Sequence, residues 1–222
     1  MLKAVIFDMD GLMIDTERLT VKIWDRLGKE FGYKNIAETA PYTMGLRKDM
    51  NKKYFYDHFG NDFPYDEFMG KSGEISIEYM KAHGVPVRPG LFKLLDYLKS
   101  KKLLLAVATS TAHERTMFCL NDIGAAKYFD KIVCGEMVEK SKPDPDIYLK
   151  TAAAIGVSPS ECAVLEDSPN GAKAGIAAKM MTIMVPDIAT PDEDLRQKLY
   201  SCVSSLEETI PIFEKALSGS QQ

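Results

Sequence analysis

Seven residues, Val5-Ile6-Phe7-Asp8-Met9-Asp10-Gly11, constrain this chain more than any other stretch. Val5, Ile6 and Phe7 form an apolar β-type run with no polar face, which suits a strand buried on both sides. The run stops at Asp8, and Asp10 comes two positions later. Gly11 then frees the backbone to turn. Two carboxylates at the end of a buried strand are costly unless something offsets their charge, and a hard divalent cation is the usual partner for such oxygens. In an open α/β sheet that strand end is also where ligands bind. Taken alone, Asp-x-Asp-Gly is more often a plain polar turn, and three segments further along the chain supply the missing chemistry.

The rest of the chain supplies a sheet for that strand. Leu19, Ile23, Trp24, Leu27 and Phe31 fall at helical spacing, with Gly32 as a stop. From there to about Gly84 the chain is rich in Tyr, Phe, Lys and Met and has no β-run, so residues 15–85 read as a small helical lobe inserted after the first strand. Val85-Pro86-Val87-Arg88-Pro89-Gly90 marks the return to the main body. Strands are then predicted at 103–108, 131–134, 163–165 and 182–185. Helical patterns occupy 91–98, 117–123, 147–155 and 172–180, and the tail from Pro191 reads as helical. Strands alternating with helices in this way imply right-handed crossovers and a Rossmann-like, doubly wound parallel sheet. The expected division is an α/β core of residues 1–14 and 86–222 with a helical cap of 15–85.

The polar residues just past the end of each buried strand would share one sheet edge. They are Asp8 and Asp10; Thr109, Ser110 and Thr111; and Glu166, Asp167 and Ser168. Lys142, in Ser-Lys-Pro-Asp-Pro, precedes a helix opened by prolines. Taken one at a time, these read as a helix cap, a solvated lysine and an acidic helix start. Together and in this order they suit a phosphate monoester. Asp8 and Asp167 can hold magnesium, Thr109 and Ser110 can hydrogen-bond phosphoryl oxygens, and Lys142 can balance the negative charge. A free Asp8 oxygen can attack phosphorus, and Asp10 can protonate the leaving alcohol and then deprotonate water. That role requires Asp10 to carry a proton at the first step.

The set Asp8-x-Asp10-Gly11, Thr109, Lys142-Pro143 and Glu166-Asp167 resembles the four motifs of the haloacid-dehalogenase superfamily. The stretches Asp8-Met9-Asp10-Gly11-Leu12-Met13-Ile14-Asp15-Thr16-Glu17, Lys142 through Tyr148, and Glu166-Asp167-Ser168-Pro169-Asn170-Gly171 look like its β-phosphoglucomutase-like branch of small phosphatases. The resemblance implies a helical cap inserted between the first and second motifs. It also implies Mg2+ held by the side chains of Asp8 and Asp167 and the backbone carbonyl of Asp10. Glu166 is then either a ligand or an acceptor behind the ligands. Mutases of the branch usually carry a histidine in the first cap helix, where this chain has Thr20, and a lysine where it has Met44. Both departures favour a simple phosphatase over a β-phosphoglucomutase-like isomerase. In the cap, Arg47, Lys48 and Lys71 are candidates to meet a charged leaving group. A third reading is a phospho-aspartate signalling module like a response-regulator receiver. Receivers are smaller, however, and place the phosphorylated aspartate on an internal strand.

Composition narrows the partners. A formal charge of −4 gives no basic field to attract nucleic acid. The N-terminal apolar run ends at Asp8, too early for a secretory leader, and no apolar stretch approaches bilayer-spanning length. Cys119, Cys134, Cys162 and Cys202 match no disulfide or zinc spacing. The expectation is a cytoplasmic enzyme acting on a small phosphorylated metabolite, with no nucleic-acid or membrane partner and monomer as the branch's default.

Overall fold

The computed structural model describes residues 1–43, 46 and 48–218. β1 (Ala4–Phe7) is fully buried along its length. It pairs with β2 (Leu104–Thr109) on one side and β4 (Cys162–Glu166) on the other. With β3 (Lys131–Cys134), β5 (Met181–Met184) and β6 (Ser201–Cys202) these form one sheet of order β3-β2-β1-β4-β5-β6, parallel throughout. The chain winds outward from β1 to β2 and β3, then crosses back to β4. The sheet's direction of winding therefore reverses between β1 and β4, the place where such sheets open a crevice at their carboxyl edge.

The strands alternate two apolar faces. Val5, Phe7, Leu105, Val107, Ala163 and Leu165 join one core with α5 (Leu91–Ser100), α6 (His113–Asp122) and α10 (Thr209–Ser218). Ala4, Ile6, Ala106, Ala108, Cys162 and Val164 face α7 (Asp146–Ala154) and α8 (Pro169–Ala177). Because both faces are covered, the strands read as continuous apolar runs. One strand departs from the sequence reading. The tail from Pro191 does hold α9 (Glu193–Lys198) and α10, but β6 lies between them. It is two residues long, fixed by Tyr200 N–H to the Thr182 carbonyl (2.9 Å) and Val203 N–H to the Met184 carbonyl (2.9 Å). A run that short carries no periodicity to detect.

Among the described residues, four α-helices come between β1 and α5: α1 (Thr16–Phe31), α2 (Ala40–Thr43), α3 (Lys48–Phe59) and α4 (Tyr65–His83). Their centre is aromatic. Trp24 packs edge-on to Phe55 at 5.4 Å, Phe55 lies 5.2 Å from Phe63, and the Trp24 indole N–H donates to Ser72 Oγ at 3.0 Å. Trp24 is thus a packing residue. The chain leaves and re-enters the sheet at one place. Asp15 N–H donates to the Pro86 carbonyl (2.9 Å), Arg88 N–H donates to the Met13 carbonyl (3.0 Å), and Ile14 bridges Val87 in antiparallel fashion.

Candidate active site

Register sets the site. Phe7 is level with Val107 and Leu165, so Asp8, just past β1, comes at the height of Ala108 and Glu166 in the neighbouring strands. Lys142 Nζ sits among them. It donates to Asp8 Oδ1 at 2.5 Å, to Glu166 Oε1 at 2.6 Å and to the Ala108 carbonyl at 3.2 Å. Tyr148, on α7, donates its hydroxyl to Glu166 Oε1 at 2.5 Å. The other oxygen of Glu166 accepts from the backbone N–H groups of Asp167 and Ser168 (3.2 Å each) and from the Ser168 hydroxyl (3.1 Å). Glu166 is therefore saturated with donors, which suits an acceptor behind the ligands.

Two glycines make this packing possible. A side chain on Gly171 would place its Cβ 1.8 Å from Glu166 Oε1, so α8 can lie against that carboxylate only with glycine there. Gly11 adopts φ +79°, and its Cβ would fall 2.2 Å from Asp167 Oδ2. The turn after β1 and the approach of Asp167 both depend on that one position.

Asp10 is held from two directions. Thr16, at the start of α1, donates to Oδ1 at 2.8 Å, and Thr111, after β2, donates to Oδ2 at 2.7 Å. The Thr109 hydroxyl oxygen accepts from Thr111 N–H at 3.1 Å, which shapes the loop. Asp8, Asp10, Thr109, Ser110, Lys142 and Asp167 all line one cavity of about 200 Å³, joined by Glu17, Leu46, Thr111 and Ser168.

The electrostatics are unbalanced. Burial, together with repulsion from Glu166 and Asp10, pushes Asp8 up to about 7 despite the opposing pull of Lys142. Burial and the neighbouring Asp187 and Asp8 push Glu17 up to about 8. Asp167 is driven well above the carboxylate range by burial and by Glu17, Glu166 and Asp8. For Lys142, burial alone would lower the ammonium, but Asp8 and Glu166 outweigh it and hold it well above its ordinary value. One lysine does not neutralise this many buried carboxylates. Ligand oxygens of Asp8, Glu166 and Asp167 lie within 4.8 Å of one another. A hard divalent cation fits both the donor set and the charge deficit.

Comparison with known proteins agrees with this geometry. The family model for haloacid dehalogenase-like hydrolases matches residues 5–185. The chain belongs to that family. It is 33% identical over 196 residues to a probable pseudouridine-5'-phosphatase of Drosophila melanogaster, covering 82% of this chain and 80% of the relative. It is 34% identical over 203 residues to hexitol phosphatase B of Escherichia coli K12, covering 82% and 83%. Among solved structures, a putative β-phosphoglucomutase from Thermotoga maritima superposes with a TM-score of 0.76 at 27% identity, covering 96% of this chain and 99% of that one. These matches place the chain in the β-phosphoglucomutase-like phosphatase branch and support a phosphoric monoester hydrolase.

Within this haloacid dehalogenase-like site, the core residues singled out from sequence come together, and Lys48 and Lys71 do not join them. Lys71 pairs with Glu30 at 2.9 Å over the Phe31 ring, away from the cavity, because α4 turns it toward α1. Lys48 pairs with Asp66 at 3.1 Å and lines a separate open depression with Asp49, Lys52 and Ser141. Arg47 and Met44 lie outside the described residues. Thr20 donates its hydroxyl to the Thr16 carbonyl at 2.9 Å. Sequence reasoning did not single out Thr16, Glu17 or Tyr148 as site residues. The available signal was position: Thr16 and Glu17 open the helix after Asp15, and Tyr148 lies six residues after Lys142. Among the described residues no helix is long and apolar enough to cross a membrane.

Proposed function

We propose that the protein is a magnesium-dependent phosphatase acting on a small phosphorylated metabolite, a sugar phosphate or nucleotide-like monoester, through an aspartyl-phosphate on Asp8. The observation that carries this is the grip of Lys142 on Asp8 beside Asp167, with a second carboxyl, Asp10, held across the same cavity by two threonine hydroxyls. Residues 15–85 act as a cap over that cavity. Four free cysteines fit a reducing cytoplasm, the proposed location.

Asp8 and Asp167, with the Asp10 carbonyl, would hold Mg2+, which when bound supplies positive charge against the phosphoryl oxygens. Lys142 orients Asp8 and adds a second positive charge. Thr109 and Ser110 offer hydroxyls to the phosphoryl oxygens. A carboxylate oxygen of Asp8 forms a bond to phosphorus as the bond to the alcohol oxygen breaks, and Asp10 gives that oxygen its proton. Water then attacks phosphorus in the aspartyl-phosphate, its proton passes to Asp10, and phosphate leaves with Asp8 restored. Glu166 keeps Lys142 in place. Thr20, in place of the histidine of the mutases, supports hydrolysis over isomerisation.

The test is phosphate release from a panel of sugar phosphates, nucleotides and p-nitrophenyl phosphate, with magnesium or with chelator, for the wild type and Asp8→Asn. Magnesium-dependent turnover lost in Asp8→Asn is expected. No release from any substrate by a folded protein would sink the reading. Conversion of glucose 1-phosphate to an isomer after priming by a sugar bisphosphate would replace it with a mutase.

A further inference from the structure

Asp187, two residues beyond Val185 and outside the active-site cavity, sits where the chain crosses between sheet and helices. Its side chain is fully buried. Its Oδ1 accepts from Arg88 Nη1 at 2.7 Å and from Arg18 Nη2 at 3.2 Å. Arg88 belongs to the returning crossing, where its N–H is bonded to Met13, and its side chain is 12% exposed. Arg18 belongs to the first turn of α1 and is 62% exposed. Asp187 itself is anchored to the core, because Val185 N–H donates to the Glu166 carbonyl at 2.7 Å. Arg18 Nε also lies 3.8 Å from Asp15 Oδ1, a buried oxygen with no hydrogen-bond partner. One aspartate thus ties the site-bearing end of the sheet to both crossings.

The residues adjoining Arg18 have tasks at the site. Thr16 holds Asp10 Oδ1, and Glu17 lines the cavity. The first turn of α1 therefore carries an anchor and an Asp10 donor on the same rigid element. We propose that Asp187 is a positioning residue for Asp10. By seating Arg18 against Arg88, it fixes the first turn of α1 and with it the Thr16 hydroxyl that aims the Asp10 carboxyl. The Arg88 bond is short and sheltered and belongs to the scaffold. The Arg18 bond is longer and wet, and it is the one whose loss releases the turn.

The inference rests on the phosphatase reading, in which Asp10 protonates the leaving alcohol. A leaving group that needs no proton should not notice Asp10 in the step that forms the aspartyl-phosphate, whereas hydrolysis of that intermediate uses Asp10 whatever the substrate. The experiment compares single-turnover release of the leaving alcohol from an alkyl phosphate and from p-nitrophenyl phosphate, with enzyme in excess and with magnesium. It uses the wild type, Asp10→Asn, Arg18→Gln, Asp187→Asn and the Arg18→Gln, Asp187→Asn double variant, each checked for folding by thermal unfolding. Asp10→Asn calibrates the assay and should lose roughly 100-fold or more on the alkyl phosphate and far less on the aryl one. Arg18→Gln and Asp187→Asn should show the same selectivity at roughly 10-fold in that release rate, with the apparent affinity for substrate changed less and with the double variant no worse than Asp187→Asn alone. Asp187→Asn leaves Arg88 buried without its charge partner, so if that variant does not fold, the exposed Arg18→Gln decides. Equal losses on both substrates, or none, while Asp10→Asn is selective would overturn the proposal. Absence of selectivity in Asp10→Asn would instead overturn the role of Asp10 and, with it, this inference.

Discussion

The sheet edge and the helical insertion are built on opposite principles. The edge devotes its tightest packing to polar atoms: Lys142, Asp8, Glu166 and Tyr148 are all buried and bonded to one another. The insertion buries aromatic rings and, apart from Glu17 at the cavity, leaves its charges largely outside, in pairs such as Lys71–Glu30 and Lys53–Asp57. Where charge is buried, each side chain is fixed by its neighbours and substitutions are strongly destabilising. Where charge is exposed, pairs are worth little and the surface is free to vary.

The contrast is most exposed to refutation at Lys142. Lys142→Met removes the only cation in contact with Asp8 and Glu166 among the described residues, and should cost about 3–5 kcal/mol in denaturant unfolding without metal and abolish turnover. A small loss would mean that the buried cluster relaxes as easily as the surface. Glycines sharpen the comparison next. Gly171→Ala drives a methyl into Glu166 and should cost roughly 1–3 kcal/mol or more. Gly70→Ala, exposed within α4 with nothing inside 4 Å, should raise stability by about 0.5–1 kcal/mol.

The buried carboxylates also fix a pH dependence. Asp8 and Glu17 are raised, so their contribution to stability is fully present below their unfolded values near 4 and is lost as pH rises through about 7 and about 8. Metal-free protein should melt at a lower temperature at about pH 8.5 than at about pH 5.5, and magnesium should raise the melting temperature more at the higher pH. An equal gain at both would separate the metal from these groups. The smallest effect belongs to the insertion: Lys71→Met should change stability by less than about 1 kcal/mol and turnover by less than about twofold. A large fall in turnover would return Lys71 to the substrate.

Legibility tracks the same divide. The core strands were readable because burial on both faces leaves unbroken apolar runs, and the site was readable with them because each run ends in its functional residue. In the insertion α1 is legible, its apolar residues at helical spacing and Gly32 at its end, but the helices after it are hidden for a physical reason. α3 buries Phe55 alone, and the buried face of α4 (Tyr65, Phe68, Ser72, Ser76 and Met80) is broken by two serines, so neither shows a continuous apolar stripe. Lys48 is singled out because similar positions after Gly45-Leu46 in relatives face the active site, and Lys71 for its charge, and neither ground says which way a helix faces in this chain. Thr16, Glu17 and Tyr148 were overlooked because each acts across a turn of helix on a residue fixed by a different element. Such a partnership leaves no mark in local spacing.

The order of the sheet has a bearing on slow opening. β1 leads directly into Asp8 and is bonded on both sides, whereas β6 holds on by two residues at one edge. Amide hydrogens should exchange first along β6 and last along β1 and β4. A molecule whose edge has frayed would still present Asp8, Lys142 and Glu166 in register, so catalytic competence should outlast the loosening of the periphery and fail only when the sheet comes apart.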